Sequence, residues 1–525
     1  MADHHNEKRP SEVSSAENGT HDKTLMVTED SSNPSAPSSV NEKPPPPWQW
    51  KLIAVILVTL IRFGGSWASG LNGSLKSVLK KELHIDNTKF ALLASCEDFM
   101  KTLLMLFTGV FTDRFGGASL LFWGNIVYSI GSILNAAAAQ VRSFDFMIGA
   151  NVIMSLGDIS TQVAQYQVFS SWFAPGNGFA STLGLELMVA KCGGLAGTAS
   201  ANAIAKGTGN FAWVYWIAFF VNLFTNVVCG AFYWFIHISK GKYGSIRDPA
   251  TGEKLRNSAK KLNFKQIFKM PWTLWVIIAY TLFTTGTISV FNTNATELAE
   301  QRFKVDSVKA GWYTAILRYG SFGIIPVVAV LTDFYGNRVT FMLITGCGVF
   351  IAMTLLNYGN EVSGTIASFA FFAATSTFSA LVIIDSIRTV LPDQTTFGTA
   401  YALKLLANNS MNVIMAIGAG VIQDHDGNSY DRVVKLFMGI SGAALGVSIL
   451  LAVLTFTTVD FRALQWTRSQ RISKGETLNE RFSRLYKEDY AKTKFISTSC
   501  CIALALLILG SWAAFIWGAA TGNNY

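Results

Sequence analysis

Apolar runs of about twenty residues follow one another along most of the chain, separated by short polar connections. Within the runs hydrophobic residues are continuous and do not alternate with polar ones, so they read as helices long enough to cross a hydrocarbon core of about 30 Å. A membrane barrel would need strands of alternating character, and the chain lacks them. The runs cover about residues 52–71, 90–112, 119–139, 144–169, 179–200, 211–236, 273–292, 310–332, 339–357, 363–390, 397–422 and 433–457, with a thirteenth at 496–519. The pattern predicts an all-α polytopic membrane protein of two six-helix halves plus an extra C-terminal span.

The polar stretches divide the chain. Residues 1–47 are rich in Ser, Asn and Pro and run into Pro44–Pro47, a composition that buries no core and predicts a disordered tail. Residues 48–237 form the first half, and residues 271–457 the second, which opens on Pro271-Trp272 as the first opens on Pro47-Trp48. Between them, residues 238–270 are strongly basic, and residues 458–494 are basic again before the last span, 495–525. Lys and Arg collect on the cytoplasmic side, which places the N-terminus and both basic segments there and the C-terminus opposite. Residues 76–89 are then a polar connection on the far side.

Composition changes this picture little. The chain has 525 residues, half of them hydrophobic, and a net charge of +9. In a soluble protein that charge would suggest nucleic acid; here cytoplasmic loops account for it, and no nucleic-acid partner is expected. Six cysteines lie in or beside apolar runs and outline no disulfide framework. No phosphate-binding loop, metal cluster or nucleophile constellation is present, so neither an enzyme nor a nucleotide-driven pump is expected, and no cofactor. Of the Asn-x-Ser/Thr sequences at Asn18, Asn72, Asn294 and Asn408, two fall on the far side, Asn72 and Asn294, both close to helix ends.

An internal repeat sets the family. Thr112-Asp113-Arg114-Phe115-Gly116 follows the second run, and Thr332-Asp333-Phe334-Tyr335-Gly336-Asn337-Arg338 follows the eighth. Each puts an acid at a helix end, a glycine at a sharp turn and a basic residue on the cytoplasmic side. Two copies in matching positions resemble the signature loops of the major facilitator superfamily over roughly residues 50–457. The first copy departs from that pattern at Gly117-Ala118, where basic residues are usual.

Ionisable residues inside the runs carry the functional information, because they are costly there and face a bundle interior or a water-filled path. They are Arg62 in span 1, Glu97, Asp98 and Lys101 in span 2, Asp158 in span 4, and Glu186 and Lys191 in span 5. The second half adds Arg318 in span 8, Asp385 and Arg388 in span 10, and Lys404 in span 11. Spans 3, 6, 9 and 12 have none in mid-span, and the superfamily resemblance implies that these four face lipid. Asn151, Ser155, Asp158, Gln162 and Gln165 share one helical face of span 4, and Lys404, Asn408 and Asn412 share one of span 11. Glu97 and Lys101 stand four apart and are placed to pair. About half of these charges are expected to serve as intrabundle pairs or gates. Asp113, Arg114, Asp333, Arg338, Asp385 and Arg388 belong with that set, as do Glu97, Asp98, Lys101 and Arg318.

Three stretches resemble more closely the lysosomal dipeptide uniporters of that superfamily. They are Val163-Ala164-Gln165 with Ser171-Trp172-Phe173, Gly184 to Lys191, and Leu391-Pro392-Asp393 with Phe397 to Tyr401 and Asn408-Asn409. The resemblance implies an acid in span 4 for a peptide amino group and a basic residue in span 5 for its carboxylate. Lys191 matches the second; at the first stands Ile159, with Asp158 one residue early. Asn151 replaces a basic residue, and Arg62 and Lys101 are charged where that branch is not. It also implies a single-helix glycoprotein partner and a lysosomal or vacuolar membrane in preference to the plasma membrane.

The expectation is therefore an alternating-access transporter of a small charged or zwitterionic solute, dipeptide-like or amino-acid-like. Lys191, Asp158, Arg62, Gln162, Gln165, Glu186, Lys404, Asn408 and Asn409 are its candidate binding residues. An organic-anion or metabolite symporter at the plasma membrane, or a transport-inactive receptor or scaffold on the same fold, are the alternatives.

Overall fold

The computed structural model describes residues 44–115, 117–173, 178–244, 267–268, 270–359, 361–391, 396–477, 480 and 490–523. The side chains of residues 106–116 and of Gln162 lie outside the described residues, so the expectations for Asp113, Arg114 and Gln162 fall there.

The apolar runs fold as helices. The first half holds α1 (Trp48–Ser74), α2 (Lys76–Leu83), α3 (Asn87–Phe115), α4 (Gly117–Val141), α5 (Phe144–Trp172), α6 (Phe179–Thr208) and α7 (Ala212–Lys242). The second holds α8 (Trp272–Phe303), α9 (Ser307–Tyr335), α10 (Arg338–Tyr358), α11 (Val362–Val390), α12 (Phe397–His425) and α13 (Asp431–Thr457). Two short helices, α14 (Val459–Arg462) and α15 (Arg468–Ser473), lead toward α16 (Tyr490–Thr521). The repeat seen in sequence is kept at both starts, where Pro47 and Pro271 precede the first residues of α1 and α8 in extended backbone.

Among the described residues, eleven of these helices are long and apolar enough to cross a membrane. α3 and α5 are the long helices missing from that set, though each has 29 residues, about 43 Å at the usual helical rise. Their polar residues lower the average because they sit in the protein interior: α3 runs between α5 and α12, and α5 along α4. Protein partners satisfy there what lipid would not.

Two details differ from the sequence pattern. The connection expected at 76–89 contains α2, whose Leu79 and Leu83 are buried. α8 continues past residue 292 to Phe303, because Ala295, Leu298 and Ala299 go on burying at helical spacing.

The halves meet where α6 lies along α9, α3 along α12 and α1 against α8. α4, α7, α10 and α13 turn apolar side chains outward, among them Trp123, Phe224, Ile351 and Phe456. Those are the helices without mid-span charges. The second signature loop turns at Gly336 (φ 73°), whose Cβ would meet the Trp466 carbonyl oxygen at 2.2 Å, so no other residue fits there.

α16 lies along α12 and α3. Phe515 stacks on Phe99 with ring centroids 4.2 Å apart, and Trp512 donates its indole N–H to Thr102 at 3.0 Å. Near one end, Ser497 donates to the Ile267 carbonyl at 3.0 Å beside the linker; at the other, the Asn523 N–H donates to Asp86 at 2.6 Å. The thirteenth helix therefore runs the full height of the bundle.

α4 and α5 approach so closely that a Cβ on Gly157 would lie 2.4 Å from the Tyr128 nitrogen and 2.5 Å from the Gly124 oxygen, whereas Gly149 on the same helix has open space. Gly157→Ala is expected to destabilise the purified protein by about 1–3 kcal/mol through overpacking. Gly149→Ala should be neutral or stabilising by up to about 1 kcal/mol. Thermal unfolding in detergent measures both, and equal midpoints for the two variants would contradict the close approach.

A charged cavity between the halves

α1, α3, α4, α5, α6, α7, α8, α9 and α12 line a cavity of about 350 Å³, near the lower end of the range for small-molecule sites. Charges of both signs line it: Arg62, Glu97, Asp98, Lys101, Asp158 and Arg318. Their placement follows from helical spacing, since Glu97 and Lys101 share one face of α3 and meet Asp158 on α5.

Lys101 is the centre of the acidic side. Its ammonium lies 2.5 Å from Glu97 and 2.6 Å from Asp158. Asp98 accepts instead from Asn412 of α12, at 3.1 Å across the seam. Three carboxylates and one lysine leave this wall net negative. Arg62 pairs with the fully buried Glu186 at 3.4 Å, and Gln165 donates to the same carboxylate at 3.3 Å. That group is neutral and fastens α1, α5 and α6 together.

Arg318 enters from α9 on the opposite side. Its guanidinium packs against α6 where Gly194 leaves room: a Cβ there would lie 2.2 Å from Arg318 Nη1. Neither Arg318 nor Lys191 has a carboxylate partner among the described residues; the charge that acts on Lys191 is the like charge of Arg318. Asp158 and Lys191, the two ends of the site that the resemblance implies, are not paired with each other: Asp158 lies on Lys101. Lys191 is half-buried and does not line the cavity.

The remaining candidates lie elsewhere. Lys404, Asn408 and Asn409 are buried on α12 outside the cavity wall. Arg338 pairs with Asp385 at 2.5 Å and donates to the Leu464 carbonyl at 3.2 Å, joining α10, α11 and the segment after α14. Arg388 is buried with its guanidinium 5.6 Å from the Phe397 ring. Asp333 accepts from the Ala180 and Ser181 amides and the Ser181 hydroxyl at the N-terminus of α6, so it crosses between the halves at the linker end.

Sequence reasoning missed the matching contact at the far end. The Lys76 ammonium, 1% exposed, reaches Glu297 at 2.8 Å, Asn294 at 2.7 Å, Gln423 at 2.8 Å and Tyr430 at 2.9 Å. Burial pulls its pKa below the ordinary lysine value, with the Glu297 charge working in the opposite direction. Lys80 adds a second bond to Glu297 at 2.9 Å, and Asp424 accepts from the Asn87 and Thr88 amides at the start of α3. Lys76 in a polar connection gave no signal; Glu297 would have, had the apolar period of α8 been followed past 292. Asn294 is committed to Lys76 and Asn72 lines the cavity, so neither is presented for glycosylation.

A family model described as Major Facilitator Superfamily matches residues 55–403. The lysosomal dipeptide transporter MFSD1 of Homo sapiens is 21% identical over 420 residues, 77% of this chain and 86% of that protein. Its counterpart in Mus musculus is 21% identical over 393 residues, 72% of this chain and 81% of that protein. The match to the Pongo abelii protein is 27% identical over 147 residues and spans 27% of this chain and 31% of that one. A solved structure of the proton:xylose symporter XylE bound to 6-bromo-6-deoxy-D-glucose has a TM-score of 0.59 at 12% identity, covering 80% of this chain and 98% of that one. At that identity the likeness is one of fold.

Removing the buried Lys101 charge takes the counter-charge from two half-buried carboxylates. Lys101→Met is expected to cost about 3–5 kcal/mol and to lower the yield of folded protein. Lys101→Met combined with Glu97→Gln and Asp158→Asn should restore it. Size-exclusion profiles and thermal midpoints test this; a triple variant no better than Lys101→Met would remove Lys101 from its place as their shared counter-charge.

Proposed function

The chain belongs to the Major Facilitator Superfamily and is a membrane transporter, not an enzyme, and we propose that its cargo is a small zwitterion of dipeptide or amino-acid type. The observation that carries this reading is the separation of charge across one cavity. The α3–α5 wall holds Glu97, Asp98 and Asp158 against a single lysine, and Arg318 on α9 faces the space without a carboxylate partner. A solute with an ammonium at one end and a carboxylate at the other complements both walls at once. Its ammonium would lie by Glu97 and Asp98, and its carboxylate on Arg318, with Lys191 adding positive potential from behind.

This differs from the assignment by resemblance, in which Asp158 and Lys191 hold the two ends. Asp158 already has Lys101, and Arg318 reaches the cavity where Lys191 does not. The names of the relatives, lysosomal dipeptide transporters, favour the same cargo class and a lysosomal or vacuolar membrane. A single-helix accessory glycoprotein enters only through the resemblance. Transport would proceed by rocking of the two halves about this mid-membrane site, with the Asp333 and Lys76 contacts at its two ends broken and remade in turn.

Uptake into liposomes containing the purified chain tests the cargo. A dipeptide with both ends free should be carried, and Arg318→Gln should raise its KM by about one to two decades, the loss of a charge-assisted contact worth roughly 1.5–3 kcal/mol. The C-terminal amide of the same dipeptide should be a poor substrate whose KM the substitution hardly changes. Equal losses for the acid and the amide would take the carboxylate away from Arg318.

A further inference from the structure

One stripe of α12 faces the other half. Phe397, Tyr401, Lys404, Asn408 and Asn412 recur at the spacing that keeps side chains on a single helical face. Both ends of the stripe are fixed by contacts across the seam. Phe397 meets Phe179 of α6 edge-on with centroids 6.1 Å apart, and Asn412 donates to Asp98 of α3 at 3.1 Å.

Lys404 stands between those contacts and is 9% exposed. Its ammonium lies 5.5 Å from the Tyr401 ring and has no acceptor or carboxylate among the described residues. One turn on, Asn408 is 2% exposed and accepts from Thr281 at 2.9 Å through its oxygen. The Asn408 Nδ2 group thereby points away from Thr281 and finds no acceptor among the described residues; Asn409 Nδ2, beside it, finds none among them either. Lys404, Asn408 and Asn409 thus offer donors and positive charge that none of the described residues receives. Buried charges are retained where something pairs with them, and buried donors where something accepts.

The geometry points to an anion site at Lys404 and Asn408, separate from the central cavity and on its linker side. The cavity wall reaches Asn412 but neither Asn408 nor Lys404, and Lys404 lies two turns from Asn412, about 12 Å along the helix. Parting of Phe179 from Phe397 as the linker end opens would give the cavity access to Lys404 and Asn408. The ligand is a small monovalent anion: the carboxylate of the solute after it leaves Arg318, or chloride. Asn408 supplies the directed N–H and Lys404 the charge.

Two measurements separate these sources, and the first does not depend on the transport reading. Thermal unfolding of the purified full chain is compared in sodium chloride and in sodium isethionate at equal ionic strength. A midpoint raised by chloride in the parent and in Lys404→Arg, but not in Lys404→Met, assigns the site to the inorganic anion. Lys404→Met removes an uncompensated buried charge, so in isethionate it should unfold no earlier than the parent. The second measurement is liposome uptake of a free dipeptide and of its C-terminal amide in isethionate. A KM for the free dipeptide raised at least about tenfold in Lys404→Met, with that for the amide unchanged, assigns the site to the solute carboxylate. Absence of a chloride response in the parent, together with equal effects of Lys404→Met on acid and amide, overturns the proposal. Should Lys404→Met not fold, the chloride response of the parent and of Lys404→Arg decides by itself.

Discussion

An ionised group removed from water needs a counter-charge, and in a membrane protein the bundle has to supply it. The Lys101 ammonium does so for Glu97 and Asp158, which lets the least apolar helices, α3 and α5, occupy the centre. Arg62–Glu186 and Arg338–Asp385 do the same elsewhere. Each of these pairs joins helices within one half. Rocking of the halves can therefore leave every one of these pairs intact.

Contacts between the halves have a different character. At the linker end Asp333 accepts from the first turn of α6, and at the far end Lys76 and Lys80 hold Glu297 while Lys206 reaches Asp306 at 3.2 Å. They lie at the two ends of the bundle, near the water phases that can enter when the halves part, whereas Asn412 on Asp98 crosses the seam at the cavity. The α1–α6 contact illustrates the rigid part. A Cβ on Gly193 would lie 2.6 Å from the Phe63 oxygen, and one on Gly197 2.3 Å from the Trp67 oxygen, so these helices pack backbone to backbone and move as one.

The cations without carboxylate partners stand apart from that economy. Arg318, Lys191 and Lys404 come from helices that meet the seam, α9, α6 and α12, and none pairs within its own half. A side chain whose charge is left for something outside the protein is the signature of a ligand contact more than of a structural one. The acids are arranged oppositely, clustered about one lysine. The cavity is thus asymmetric in charge, and the asymmetry restricts the cargo more than its volume does.

Much of this was legible in the chain itself. Continuous apolar runs dictated helices, the duplicated Thr-Asp-x-x-Gly turn dictated two halves, and the absence of charge from four runs marked the helices that now face outward. Local patterns sufficed because each depends on one helix and the solvent around it. The Glu97–Lys101 pair was visible for the same reason, four residues apart on a single face. The partner of Asp158 was not: Lys101 stands on a different helix, and its meeting with Asp158 rests on how α3 and α5 are rotated about their axes. Nor did sequence place Lys76 on Glu297, more than two hundred residues away, or show that Gly194 clears a seat for Arg318. Charge type and helical face are properties of the chain. Which opposite charge arrives to meet them is decided by packing, because a rotation of one helix by a single residue, about 100°, exchanges one partner for another.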